Sequence, residues 1–177
     1  INVAWQDAKT FIAWLSEKSG KKYRLLSEAE FEYAARGGTK TAWFYGAAED
    51  SYGSRAACKF ANLHDESGKK AHPNYVWSHH LCDDGFGETS PVGRYQSNPF
   101  GLHDMLGNLR EWVEDCHGPY QDAPTDGSAK VSAECEKRIV RGGGWMDGAS
   151  TSRAAYRHPL PENYRNYQVG FRVARDL

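Results

Sequence analysis

From Thr39 to about Ala133 the chain carries no sustained hydrophobic period, neither the recurrence of an amphipathic helix nor the alternation of a half-buried strand. That stretch is more than half of the 177 residues. Loops of such length inside a compact domain are held by disulfides or ions, or are built for function. The chain is long enough to bury one substantial core. Its six Trp, ten Tyr and 18 Gly suit an aromatic-rich, loop-rich fold rather than a helical bundle. A net charge of −1, with 22 basic and 23 acidic residues interspersed, excludes an electrostatic footprint for nucleic acid or an anionic membrane. No apolar run approaches the roughly 20 residues of a spanning helix.

The four cysteines are the first candidates for bracing the loops. Cys58 and Cys82 flank one stretch rich in Gly, Asp, Ser and Pro, and Cys116 and Cys135 flank another. Two disulfides are the leading expectation, each stabilising by roughly 3 kcal/mol through loop closure. A Cys/His metal site is the rival, because His79, His80 and His117 lie near Cys82 and Cys116, but no C-x-x-C or zinc-like spacing is present. Free thiols are the third alternative. An even cysteine count in polar loops favours an oxidising compartment, periplasmic or extracellular.

Regular structure is concentrated near the start. Ile1-Asn2-Val3-Ala4-Trp5 reads as strand, and Asp7 is placed to cap a helix whose apolar stripe is Ala8, Phe11, Ile12 and Leu15. Tyr23-Arg24-Leu25-Leu26 reads as a short strand. Ser27-Glu28-Ala29-Glu30 is a capping box opening a second helix that stops at Gly37-Gly38. Strands are expected again at Arg138-Ile139-Val140-Arg141 and Val169-Gly170-Phe171-Arg172-Val173, with further order at Arg153-Ala154-Ala155-Tyr156-Arg157. His79-His80 reads as a solvated loop pair.

Inside the aperiodic region, Asn98-Pro99-Phe100-Gly101-Leu102-His103-Asp104-Met105-Leu106-Gly107-Asn108-Leu109-Arg110-Glu111-Trp112 is neither helical nor strand-like. Carboxylates, amides and small residues at this density make a rigid polar loop around an ion or ligand. Arg141-Gly142-Gly143-Gly144-Trp145 and Gly170-Phe171-Arg172 follow. With Val3-Ala4-Trp5-Gln6-Asp7-Ala8 and Tyr23 to Gly38, these blocks resemble, in order and over essentially the whole chain, the formylglycine-generating enzyme or sulfatase-modifying-factor family. The resemblance implies one α+β domain over residues 1–177, a C-type-lectin-like variant with little regular structure, two helices and small antiparallel sheets. It also implies further strands of the same domain before Ile1.

The resemblance further implies bound calcium, which takes six to eight oxygens from carboxylates, amides and carbonyls. The first set falls on Asn62, Leu63, Asp84 and Phe86, and the second on Asp104, Gly107, Leu109 and Glu111. The alternative is that Asp84 and Asp104 are turn residues accepting backbone amides. Arg110 stands where the family usually has Trp, and its cation is expected beside Glu111, in competition with a metal. The family's enzyme oxidises a substrate cysteine with two of its own cysteines, which bind copper just after the Arg-Gly-Gly block. Here that stretch is Met146-Asp147-Gly148-Ala149-Ser150-Thr151-Ser152, without cysteine. A soft copper(I) site needs thiolates, so copper-dependent formylglycine chemistry is not expected.

Three functions follow. The first is a calcium-stabilised module binding a peptide, glycan or protein through a surface of Trp145, Asp147, Ser150, Ser152, Arg153, Tyr156, Tyr164 and Tyr167. The second is a different oxidative maturation enzyme acting on a small metabolite, such as a periplasmic siderophore-tailoring oxidase, with Trp145, Arg153, Arg157 and Arg172 in its pocket and Glu111 nearby. The third, the substrate-side domain of a sulfoxide synthase, needs a histidine module that the chain does not supply. Against all three, Arg141, Arg153, Arg157 and Arg172 read as loop braces paired with Asp and Glu rather than as catalytic groups.

Overall fold

The structure is a computed structural model and describes residues 1–46 and 55–176. Its chain divides into two compact units, one of Ile1–Phe31, Glu111–Arg141 and Arg157–Leu177, the other of Glu32–Arg110 and Gly142–Tyr156.

The first unit holds most of the regular structure. Helix α1 spans Trp5–Ser19, and the four residues before it are in neither helix nor strand. Ala4, not Asp7, is the N-cap; Asp7 sits three residues in, and its Oδ2 accepts the Ala4 N–H at 2.7 Å. The buried stripe is Trp5, Ala8 and Ile12, which leaves Phe11 44% exposed. These residues pack with Leu25, Trp112, Val140, Leu160 and Val169 into the unit's core. Strand β1 is only Tyr23–Arg24. The expected box then opens α2, Glu28–Arg36: Ser27 Oγ accepts the Glu30 N–H at 3.1 Å, and Glu30 Oε2 accepts the Ser27 N–H at 2.8 Å.

The central strand was hidden in the sequence. Arg110–Cys116 forms β2, so the end of the aperiodic block is a strand after all. Its neighbours are β3, Arg138–Arg141, and β5, Val169–Phe171, while β4, His158–Leu160, flanks β3, giving the order β4-β3-β2-β5. Glu111 faces Arg141 and Trp112 faces Val140 across the antiparallel β2–β3 pair. The polar members of β2 are internal partners: Glu114 takes the Lys9 ammonium at 2.8 Å, and Asp115 accepts the backbone N–H groups of Glu28 and Lys130 at 2.7 and 2.9 Å. Strand β6, Ala174–Arg175, pairs with β1, and residues 153–157 form a turn rather than a strand.

The second unit is mostly loop. It contains one helix not expected from the sequence, α3, Glu66–Ala71, capped by Asp65, whose Oδ1 accepts the Gly68 N–H at 3.0 Å. Ala57, Ala61 and Leu63 make a small core with Tyr45 and Cys82. Asparagines do the work of a ladder here. Asn98 Oδ1 accepts from Phe100 N and Leu102 N, and Asn108 exchanges two hydrogen bonds with the Ser90 backbone. Both expected disulfides are formed, Cys58–Cys82 in this unit and Cys116–Cys135 in the first.

Candidate functional site

All four cysteines of the chain are disulfide-bonded, so none of its own residues supplies a thiolate. The stretch after Trp145 is closed by a buried ion pair instead. Arg110 Nε lies 2.7 Å from Asp147 Oδ2, and its Nη2 lies 2.5 Å from Oδ1. Asp147 Oδ2 also accepts the Gly144 N–H at 2.8 Å. Arg110 therefore does not sit beside the Glu111 carboxylate, because successive side chains of a strand leave on opposite faces. Glu111 belongs to the first unit and takes the Arg172 guanidinium on both oxygens, at 2.5 and 2.7 Å.

Other arginines behave likewise. Arg157 grips both Glu28 oxygens at 2.5 and 2.6 Å and donates to the Gly118 carbonyl, while buried Arg141 lies 3.6 Å from the same carboxylate. Of the expected ligand surface, Trp145, Asp147 and Ser152 are buried. Ser152 Oγ accepts the Trp43 indole N–H and donates to the Ala149 carbonyl. Ser150 and Arg153 are exposed and Tyr156 half-buried in the second unit, whereas exposed Tyr164 and Tyr167 belong to the first. The expected patch thus divides between the units.

The first calcium set lies wholly in the second unit and is all oxygen. Asn62 is 1% exposed; its Nδ2 donates to the Glu88 carbonyl at 2.8 Å, and its Oδ1 is buried without a protein partner. Asp84 accepts the Phe86 N–H on Oδ1 at 2.7 Å and the Tyr95 hydroxyl on Oδ2 at 2.9 Å. Burial, with Asp65 nearby, pushes its carboxyl up to about 6. A buried amide oxygen without a protein partner, a carboxylate and backbone carbonyls are the donor types that a hard cation takes. The second set differs. Asp104 Oδ2 accepts the Gly93 N–H, Gly107 and Leu109 lie in the second unit with it, and Glu111 is neutralised by Arg172 in the first. Among the described residues no three His, Cys, Asp or Glu side chains converge to hold an ion by themselves.

A histidine and aromatic cluster in the second unit was not expected. His64 is 0% and His80 2% exposed, so His80 is no solvated loop residue. Neither ring has a protein hydrogen-bond partner on either nitrogen. Burial, with neighbouring positive groups, lowers both imidazoles to about 4 and keeps them neutral. Around them His72 stacks on Tyr75 at 4.8 Å between centroids, Tyr75 on Trp77 at 4.3 Å, and His72 lies 5.3 Å from Trp145. The sequence clue was four His within the span 64–80, interleaved with Tyr75 and Trp77.

Residues 1–177 match the sulfatase-modifying factor enzyme 1-like domain family. The formylglycine-generating enzyme of Streptomyces coelicolor is 32% identical over 184 residues, covering 99% of this chain and 52% of that protein. The inactive C-alpha-formylglycine-generating enzyme 2 of Bos taurus is 31% identical over 98% of this chain and 49% of that protein. The solved structure of PvdO from Pseudomonas aeruginosa superposes with a TM-score of 0.85 at 39% identity, over 100% of this chain and 61% of that one. The chain thus spans about half the length of these two relatives. No helix among the described residues is long and apolar enough to cross a membrane.

Proposed function

The chain belongs to the family of sulfatase-modifying factor enzyme 1-like domains, and we propose that it serves there as a calcium-braced binding module rather than a copper-thiolate oxidase. The observation that carries this reading is the segment after Trp145. In the stretch 146–152, where the resemblance puts the family's copper-binding cysteines, the chain has no cysteine but has Asp147, paired with Arg110, and its four cysteines are closed into disulfides. Soft copper(I) has no partner in such a set of groups. Support also comes from 31% identity to a relative whose own name marks it as inactive. A peptide, glycan or protein ligand would meet exposed Ser150 and Arg153 with half-buried Tyr156. Asn62, Leu63, Asp84 and Phe86 would hold calcium and fix the loops behind that surface. Two disulfides favour an oxidising compartment, the periplasm or the exterior.

Two measurements test this. Incubated with copper, oxygen and a cysteine peptide from a sulfatase, the protein is expected to form no formylglycine; aldehyde production above a no-protein control would overturn the reading. On peptide and glycan arrays in calcium buffer, a selective signal is expected that Arg153→Ala with Tyr156→Ala abolishes. A second reading is an oxidative enzyme tailoring a small metabolite, with the likeness to PvdO, 39% identity at a TM-score of 0.85, as its support. Oxygen consumption with a small aromatic metabolite, at wild-type array silence, would establish it over the first.

A further inference from the structure

His64 and His80 pose a problem that neither reading solves. A neutral imidazole always carries one N–H donor and one acceptor nitrogen. Leaving such groups buried and unpaired is costly, and both nitrogens of both rings are buried without protein partners. His64 faces a third imidazole, His79, at 5.9 Å between ring centroids and an interplanar angle of 71°. Metal–nitrogen bonds of about 2.0–2.1 Å would set two imidazoles that share one ion about 5–6 Å apart between centroids. His79 is also backed in the way a ligating imidazole is. Its Nε2 lies 3.4 Å from Glu66 Oε1, which leaves Nδ1 for another partner. The Lys69 ammonium is held by the Pro73 and Tyr75 carbonyls. Side chains at Gly68 are excluded, since a Cβ there would stand 2.8 Å from His64 Nδ1.

We propose that His64 and His79 bind a divalent transition-metal ion of the zinc class between their rings, with water in the remaining positions hydrogen-bonded to His80. Among the described residues no three His, Cys, Asp or Glu side chains could hold the ion together, so the site has two protein ligands and water. The site is distinct from the all-oxygen calcium set, because imidazole nitrogen selects zinc-class ions and calcium takes oxygen. His79, with a side chain 25% exposed, is the entry point, and His64 is the buried end. His80 lies within electrostatic reach of both. The bound water supplies the partner that its nitrogens lack.

The test is titration of the whole chain with Zn2+ alone, in calcium-saturated buffer, read by calorimetry. Wild type is expected to take up one saturable Zn2+ per chain. His79→Ala removes a half-buried ring and leaves the core intact, which an unchanged zinc-free melting temperature verifies. Zinc affinity in that variant is expected to fall tenfold or more, and in Glu66→Gln to fall measurably, while His117→Ala in the other unit binds as wild type. No saturable uptake by wild type, or a loss below tenfold in His79→Ala, overturns the site.

Discussion

Arg110 and Asp147 show how two side chains close a loop by charge. Their side chains are 18% and 7% exposed, so the pair is nearly dry and each charge depends on the other. Removing one partner of a buried pair leaves an uncompensated charge. Arg110→Met is therefore expected to lower unfolding free energy by about 3 kcal/mol, read by urea denaturation, while the double change Arg110→Met with Asp147→Leu recovers most of it. A single variant as stable as wild type would show the pair to be ornamental. The buried imidazoles predict a pH effect. His64 and His80 are lowered from 6.5 to about 4, so the unfolded chain takes up protons that the folded one refuses. Their contribution is full above about pH 6.5 and is lost as pH falls toward 4. Asp84, raised from 3.8 to about 6, acts oppositely in calcium-free buffer, contributing most below 4 and losing it as pH rises through 6. Relative to wild type, His80→Leu should gain stability between about pH 7.5 and about pH 4.5; parallel melting curves would sink this.

At the scale of elements, the sequence announced what is local and concealed what is tertiary. The Ser27–Glu30 box was legible because both partners of the cap lie within four residues. Strand β2 was not, because Glu111, Glu114 and Asp115 look like solvent residues until Arg172, Lys9 and two distant backbone amides reach them. Helix α3 escaped for a similar reason: six residues with Gly68 inside carry no apolar period, and the Asp65 cap is all the local signal there is. The ligand surface was misread where Asp147 and Ser152 turned inward, since polarity alone does not tell a brace from a contact. The block around Gly107 makes the element-scale prediction. Gly107 has φ +83°, and a Cβ there would run into the Asn62 carbonyl oxygen. Gly107→Ala is thus expected to destabilise by more than about 1–2 kcal/mol and to weaken calcium binding, since it pushes on the Asn62 backbone. Retained stability in a thermal melt would contradict that geometry.

For the molecule as a whole, the loop-rich unit has a small core, a disulfide and the proposed calcium set to hold it. Opening Cys58–Cys82, which closes 24 residues, should cost about 3 kcal/mol, as should opening Cys116–Cys135 across 19; paired Cys→Ser variants and denaturant curves read each. Calcium at about a hundred times its Kd should add about 2.7 kcal/mol, or about 5–10 °C in melting temperature. Chelation should remove that gain in wild type and leave Asn62→Ala unmoved; a melting curve indifferent to chelator in wild type would end the assignment. The pairing of β1 with β6 has one more implication. Tyr23 and Arg24 find their strand partners at Arg175 and Ala174, so on a ribosome β1 emerges long before β6 exists for it to join. The first unit cannot close vectorially from its beginning. A nascent chain halted at Arg157 would display an unfinished sheet edge, open to pairing with its siblings until β4, β5 and β6 arrive.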